Sequence, residues 1–512
     1  MRAAAVDPVE MWATQAHDLA LTQPETYGRR IVLRALIGSL ILHSVTLLGV
    51  LAGIAGVATA LITGTHWFYL AGLAAFALSG IWFHNLTRSI DVTRGVRVTT
   101  ATAPALLAVI ERVAKEIGAP MPTTVEVVPE FNAWVQVARR PRGQWKISLG
   151  LPLMLATEVP DFTAIIGHEL GHFVSGTLGA RVVWSQQSSW FSTFEMLRGS
   201  RWMSVVRELF RDWGERFGAE SVAMARRHEL TSDQAGAKVA GAEAMARGLI
   251  RMALLNRLLW ERFWPDIWRR AWHGPPPEDV FSDLGHFLGV LDRADVDRFF
   301  RSEISDQTLA FDVHPSLSDR LKGLGQRAVV PPPISRSAAV ELLGKSLPEL
   351  TVQLGRWWIS RVRYEWEEET EEAKTLARRL ETSAGRHADE LGPAEAFEMA
   401  RALRHSGRLT EALPFYRRGA EFSDGHWRPR LAFGLAMLEL GDAKGLTELG
   451  LGVSLSQGEP EAIFRAWAAA RRFLEARGEA LNKNPFTGAY HKLRLRAGRN
   501  EALREWGRPA VW

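Results

Sequence analysis

Two long uncharged stretches near the N-terminus constrain the fold of this chain more than any other feature. Residues 35–62 and 67–86 contain no Asp, Glu, Lys or Arg, and a short turn at 64–66 lies between them. Each stretch can cross a hydrocarbon layer of about 30 Å as a helix that rises about 1.5 Å per residue. Arginines flank the pair on both sides and are absent from the turn; they are Arg29, Arg30, Arg34, Arg88, Arg94 and Arg97. The sequence therefore predicts a transmembrane hairpin with both ends in the cytoplasm, and a hairpin buried in a soluble core is the alternative.

The composition limits what the rest of the chain can be. Of the 512 residues, 47% are hydrophobic, so we expect two or three domains with sizeable cores. Because there is no cysteine, disulfides and thiolate metal sites are excluded, and any metal must bind to His, Asp or Glu. The net charge of +5 is a small excess without a basic stripe, and we therefore expect no nucleic-acid partner.

The segment AIIGHELGHF at residues 164–173 contains two histidines four residues apart. On a helix, His168 and His172 lie one turn apart on the same face, where both imidazoles can bind one Zn²⁺ ion. Glu169 flanks the open coordination position, so it is the candidate general base for a zinc-bound water that hydrolyses a peptide bond. Asp161 is expected to cap the start of this helix. A helix that carries the two histidines by coincidence is the alternative.

A third ligand must come from elsewhere in the chain. Ser175 and Leu178 stand where a metzincin would have Gly and His, which excludes that class. Glu229 lies on a second predicted helix and would complete a site of two histidines and one glutamate. Asp233, one turn later, would accept the spare N–H of an imidazole. An acidic pair at this spacing is also common on a solvated helix face, and His228 is a weaker alternative ligand.

Five motifs that follow the hairpin in order carry a resemblance to a known family. They are APMPTTVEVVPEFNAWV, KISLGLPLML, HELGH, ELTSDQAGA and HPSLSDRLKGL. Over residues 30–325 the chain resembles the HtpX and CAAX-prenyl-protease group of integral-membrane zinc metalloproteases. The resemblance implies an α+β fold, in which a mainly helical zincin-like domain contains a small antiparallel sheet.

The resemblance also implies roles for particular residues. It makes Glu229 the third zinc ligand and Asp233 the partner of a ligating histidine. It places Asn132 and Ala133 on an edge strand beside the metal, where the substrate backbone pairs as an added strand. It places His314 near the zinc, as a group that stabilises the developing oxyanion. From the sequence alone, Asn132 is equally well an ordinary turn residue, and the His-Pro pair at 314 is also common at helix starts.

The chain departs from the family pattern at two positions within these motifs. Ser232 stands where the family usually has Ala, and Trp134 stands where it often has Phe, and both changes are conservative in size. Arg320, after the His-Pro pair, is interpreted as a structural anchor. Because only two spans are clear, the large many-helix chamber of the prenyl proteases is not expected. Turnover of membrane-associated or misfolded proteins is therefore favoured over prenyl-protein processing.

The C-terminal part is helical in pattern and contains an internal repeat. Two segments align with a 34-residue offset that matches Gly407 to Gly441 and Ala402 to Ala436. This period is typical of tetratricopeptide (TPR) helix pairs, and a generic helical bundle is the alternative. TPR-like repeats would offer a concave surface to a protein partner or a substrate segment.

Four tryptophans recur every four residues before this region, at Trp260, Trp264, Trp268 and Trp272. They form a stripe along one helical face, although Pro265 is expected to cut or bend the helix. The stripe is predicted to pack under the catalytic domain, and a position at the bilayer interface is the alternative.

These observations together predict a membrane-anchored zinc endopeptidase with one Zn²⁺ per chain. Its catalytic domain is expected on the cytoplasmic face of a bacterial-type inner or plasma membrane, and its partners are a protein or peptide substrate, the bilayer and a protein bound by the tail. A membrane scaffold with a vestigial protease fold, acting through its tail, is the alternative function. The predicted segments are a cytoplasmic lead-in at 1–30, the hairpin at 31–88, the metallopeptidase domain at 89–328, a proline-rich linker at 329–337 and the TPR-like domain at 338–512.

Overall fold

The computed structural model divides the chain into two compact units. Residues 1–249 and 306–347 form the first unit, and residues 250–305 and 348–512 form the second. The segment predicted as one metallopeptidase domain at 89–328 thus contributes to both units. The structure describes residues 8–87, 95–137, 145–174, 204–309, 312–382, 385–421 and 426–496, together with residues 182, 183, 186, 187, 189, 190 and 193.

Two apolar helices, α2 (Pro24–Thr63) and α3 (His66–Thr87), follow α1 (Pro8–Thr22). Both are long and apolar enough to cross a membrane. Only 11% and 17% of their most apolar 18-residue segments are buried. The backbones of the two helices are in close contact. A Cβ atom added to Gly56 would lie only 2.8 Å from the Cα of Gly72. Such close contacts through small residues are frequent between membrane helices. The N-terminal helices therefore suggest membrane association.

A four-stranded sheet lies in the first unit, with the strand order β1-β2-β4-β3. The prediction of an antiparallel sheet was wrong in one respect, because the central β2–β4 pair is parallel, whereas β1–β2 and β3–β4 are antiparallel. Strands β2 and β3 are not neighbours, because β4 lies between them and pairs with both. Strand β3 therefore lies at the sheet edge. The strands are β1 (Val96–Val98), β2 (Thr124–Val128), β3 (Ala133–Val137) and β4 (Trp145–Gly150).

Helices pack around this sheet and continue through both units. The helices between β1 and residue 258 are α4 (Pro104–Ile117), α5 (Leu151–Leu155), α6 (Val159–Val174), α7 (Ser204–Ala240) and α8 (Ala242–Leu258). They are followed by α9 (Trp264–Arg269), α10 (Val280–Gly289), α11 (Arg293–Ser305), α12 (Leu317–Gly323) and α13 (Ala338–Leu343). The remaining helices are α14 (Leu347–Thr382), α15 (Pro393–His405), α16 (Leu409–Glu421), α17 (Trp427–Glu439), α18 (Gly445–Leu455), α19 (Pro460–Ala476) and α20 (Thr487–Arg496).

Three tryptophans of the stripe, Trp264, Trp268 and Trp272, pack against other aromatic side chains of the second unit. The rings of Trp264 and Trp358 stack with centroids 5.9 Å apart, and those of Trp268 and Trp366 lie 5.3 Å apart. These rings take part in aromatic packing within the second unit, and the position of the stripe relative to the catalytic domain or a bilayer stays a prediction. The helix is interrupted as expected, because a π-helical turn at Leu259–Phe263 precedes the helix that carries Pro265.

Helix pairs follow one another in the C-terminal part of the second unit. Helices α15 and α17 begin at Pro393 and Trp427, which preserves the 34-residue offset of the sequence. Gly407 and Gly441 follow these helices with φ of 79° and 85°, the left-handed conformation that glycine adopts without strain. The first two pairs share a core in which Ala400, Tyr416 and Ala436 are fully buried.

Candidate metal centre

Helices α6 and α7 approach each other closely because glycines line their contact. A Cβ on Gly167 would lie 3.0 Å from the Cα of Gly236, and a Cβ on Gly171 would lie 2.8 Å from the Cβ of Ala235. Distances this short leave no space for a side chain on either glycine of α6. The histidines of α6 can therefore reach the acidic residues of α7 directly.

The start of α6 is fixed by a buried ion pair. The helix begins at Val159, so Asp161 lies in its first turn and is not the N-cap that the sequence predicts. Its carboxylate is fully buried, and Oδ1 lies 2.9 Å from Arg247 Nη2 of α8. Charge complementarity to the helix start, together with Arg247, accounts for an acid at this position.

Three donor atoms from α6 and α7 converge on one point. His168 Nε2 and His172 Nε2 lie 3.0 Å apart. Glu229 Oε2 lies 3.7 Å from His168 Nε2, and Glu229 Oε1 lies 3.5 Å from His172 Nε2. Ligands about 2.0–2.1 Å from a tetrahedral ion are separated by about 3.3 Å, so the three side chains fit a zinc-sized divalent metal. His168 and Glu229 are buried, which shields the point from bulk water.

Glu169 lies beside this point. His168, Glu169 and His172 can each offer a ligand atom within 4.8 Å of the others. Burial raises the pKa of Glu169 well above its usual value, and the negative charge of Glu229 raises it further, while Arg320 acts in the opposite direction. A carboxyl group with a raised pKa is suited to accepting and returning a proton.

The charge states of the other groups favour metal binding. Burial, and then the neighbouring His168, lowers the pKa of His172 to about 3, which keeps its imidazole neutral. Burial alone would raise the pKa of Glu229, but the hydrogen bond and charge of His314 outweigh it, so the pKa falls. Neutral imidazoles and an ionised carboxylate are the forms that bind a divalent ion.

Asp233 and Arg320 form a buried pair behind His168. Asp233 Oδ1 lies 2.9 Å from His168 Nδ1. Arg320 donates to both carboxylate oxygens of Asp233, with Nε 2.9 Å from Oδ2 and Nη2 2.5 Å from Oδ1. Burial would raise the pKa of Asp233, but these hydrogen bonds lower it, so the carboxylate stays ionised and can accept the His168 Nδ1–H.

His314 lies at the exposed side of the same cluster. Its Nδ1 is 2.9 Å from Glu229 Oε2, and 68% of its side chain is exposed. Arg226 of α7 holds the segment before it by donating from Nε to the carbonyl oxygen of Asp312, at 2.7 Å. His314 therefore lies beside the acidic ligand candidate, and its role in stabilising an oxyanion stays a prediction.

Asn132 and Ala133 lie at the start of the edge strand. The side-chain oxygen of Asn132 accepts from the backbone N–H of Ala133 at 2.9 Å, and its carbonyl oxygen accepts from Gly150 N–H at 2.8 Å. Strand β3 contacts α6, the helix that carries the two histidines. An extended chain added to this edge would run alongside that helix.

Two contacts of His172 were not foreseen from the sequence. Its Nδ1 lies 3.0 Å from Ser232 Oγ and 3.1 Å from Nδ1 of His228. The helical spacing from Glu229 was available as a signal for Ser232, but the sequence does not show which way an imidazole turns. His228, considered as an alternative ligand, contacts a histidine nitrogen on the side away from Glu229.

Two imidazoles and one carboxylate around a point, with a second carboxylate beside it, define the metal-dependent peptidase class of site. Comparison with known families agrees, because residues 100–328 match the family model described as peptidase family M48. This part of the chain is therefore similar to the metal-dependent peptidases of family M48. Comparison with curated proteins and with solved structures gives no match.

Proposed function

We propose that the protein is a membrane-anchored zinc endopeptidase that cleaves membrane-associated or misfolded proteins on the cytoplasmic side. The observation that carries the proposal is the convergence of His168, His172 and Glu229 within 3.0–3.7 Å of one another, with Glu169 adjacent. The M48 match and the apolar helices α2 and α3 support peptidase activity at a membrane.

The protein groups divide the chemistry of hydrolysis among them. When bound, the metal would supply a Lewis acid that polarises the scissile carbonyl and acidifies water. His168, His172 and Glu229 would hold it. Glu169 takes a proton from the attacking water and later returns it to the leaving amine. His314 would donate a hydrogen bond to the oxygen on which negative charge develops.

The substrate would bind as an added strand along β3. Because the Asn132 carbonyl points to Gly150, the alternation of an antiparallel ladder turns the backbone groups of Val135 toward the open edge. A peptide paired there would use its backbone for affinity, so selection would depend on an extended conformation more than on side chains. An unfolded segment satisfies this requirement, and a folded protein does not.

Glu169→Gln is the direct test of the proposed base. Gln cannot accept the proton, so cleavage of a denatured reporter protein by the detergent-solubilised full chain should fall by about 10²- to 10⁴-fold, while the metal content stays at the wild-type level. Glu111→Gln, an exposed neutral substitution on α4, is the matched control and should leave the rate unchanged. Cleavage by Glu169→Gln at the wild-type rate would refute the assignment. If the Glu169→Gln variant restores the function of a deletion strain as well as the wild type does, the result would favour the alternative of a membrane scaffold that acts through its tail.

A further inference from the structure

The Nδ1 atom of His172 faces a small polar cluster on α7. Ser232 Oγ lies 3.0 Å away and His228 Nδ1 lies 3.1 Å away. Ser232 is fully buried, and the imidazole rings of His172 and His228 lie with centroids 5.0 Å apart. Residues 228 and 232 are one helical turn apart, so they present one face of α7 to His172.

A neutral imidazole that binds a metal through Nε2 carries its proton on Nδ1. That proton needs an acceptor, because an unpaired buried donor costs free energy and leaves the ring free to rotate. For His168 the acceptor is the Asp233 carboxylate. For His172 the Ser232 hydroxyl oxygen and the His228 ring nitrogen lie within hydrogen-bond distance of Nδ1, and neither atom carries a full negative charge.

We propose that Ser232 and His228 are positioning residues that accept the Nδ1–H of His172 and so orient Nε2 toward the metal. This rests on the proposed function, since it assumes that His172 is a ligand. Consecutive residues of α7, Ser232 and Asp233, then serve one histidine each.

The two histidines would therefore differ as ligands. The carboxylate of Asp233 makes His168 the more basic donor, whereas the neutral acceptors at His172 leave that ring held but less electron-rich. A site of this kind binds zinc more weakly than one with two carboxylate partners. Removal of the acceptors would weaken it further.

The test is the zinc affinity of the purified full chain, measured by competition with a chromophoric chelator. Ser232→Ala should weaken zinc binding by about 10-fold, and Ser232→Ala combined with His228→Phe by up to about 100-fold. Thr231→Ala is the matched control, because the Thr231 hydroxyl donates to the carbonyl of Arg227 at 2.8 Å and does not contact His172. The melting temperature of the zinc-free protein should be the same in all four proteins.

An affinity of the double variant equal to that of wild type would overturn the proposal. A loss of affinity matched by a lower zinc-free melting temperature would also overturn it, since that would reveal a purely structural role. Failure of the proposed function looks different. If the wild-type chain binds zinc but cleaves no protein, the peptidase assignment fails while the roles of Ser232 and His228 stand.

Discussion

Arg320 supports the candidate metal centre through a bidentate ion pair with Asp233, whose carboxylate is almost fully buried. Removal of one partner of a buried pair leaves an uncompensated charge, which costs about 3–5 kcal/mol. Arg320→Gln should therefore lower the melting temperature of the full chain by on the order of 10 °C. Differential scanning fluorimetry in detergent measures this directly.

Lys322→Gln provides the control on the same helix. Lys322 is 75% exposed and lies 3.4 Å from Asp319, so its pair contributes less than about 1 kcal/mol. Equal melting temperatures for the Arg320→Gln and Lys322→Gln variants would show that the buried pair does not stabilise this unit.

At this scale the sequence predicted which residues assemble, but not how they are held. His168, Glu169 and His172 follow from helical spacing, and Glu229 and Asp233 follow from the resemblance. The Ser232 and His228 contacts depend on the rotamers of imidazole rings, which a sequence pattern does not encode. Whether these residues act as proposed stays a prediction until the variants are measured.

Among the elements, the α6–α7 contact is the one on which the site depends. A Cβ on Gly167 would meet the Val239 side chain at 2.5 Å and the Gly236 backbone at 3.0 Å. Gly167→Ala should therefore force the helices apart, at a cost of about 1–3 kcal/mol, and should weaken metal binding as well.

Gly218→Ala is a matched substitution that is expected to raise the stability of the protein, whereas Gly167→Ala is expected to lower it. Gly218 lies within α7 and has no atom within 4 Å of the position of an added Cβ. Alanine there should raise stability by about 0.5–1 kcal/mol, because glycine loses more backbone entropy on helix formation. A melting temperature lowered equally by both variants would contradict the account of the glycine contact.

Polar and apolar residues alternate over residues 124–128 and 145–149, a pattern typical of strands, and these residues form β2 and most of β4. The mixed pairing was not predictable, because strand order depends on how the chain crosses the sheet, and alternation records only which face is buried. The same limit applies to Asp161, whose ionic partner Arg247 lies 86 residues away in the chain.

On the scale of the molecule, the two apolar helices belong to the same unit as the candidate metal centre. The single helix α2 begins at Pro24 and includes Arg34, whose Nη1 lies 2.6 Å from Glu220 Oε2 of α7. The Tyr27 hydroxyl donates to the backbone carbonyl of Glu220 at 2.8 Å. A membrane position of α2 would therefore set the position of the helix that carries Glu229.

Because the chain contains no cysteine, single-cysteine labelling can test this topology. Thr65→Cys, in the turn between α2 and α3, should react with a membrane-impermeant maleimide in intact cells, since the turn is predicted on the outer side. Thr375→Cys, exposed on α14, should react only after permeabilisation. Labelling of neither position before permeabilisation would contradict the transmembrane hairpin.

The domain boundaries drawn from composition stay predictions. Proline content suggested a boundary at 329–337, but Ala338 N–H donates to the Thr157 carbonyl at 2.7 Å, and α13 lies in the first unit. Local composition marks where regular structure stops, whereas the partner of the next helix depends on packing. The TPR-like identity of the tail stays a prediction.

The central claim is that His168, His172 and Glu229 hold one metal ion. Elemental analysis of the purified full chain, with thermal unfolding as a check on folding, tests this directly. The account predicts one zinc per chain in the wild type and in Glu169→Gln, and zinc close to zero in His172→Ala and in Glu229→Ala. A folded Glu229→Ala variant that retains the full wild-type zinc content would contradict it.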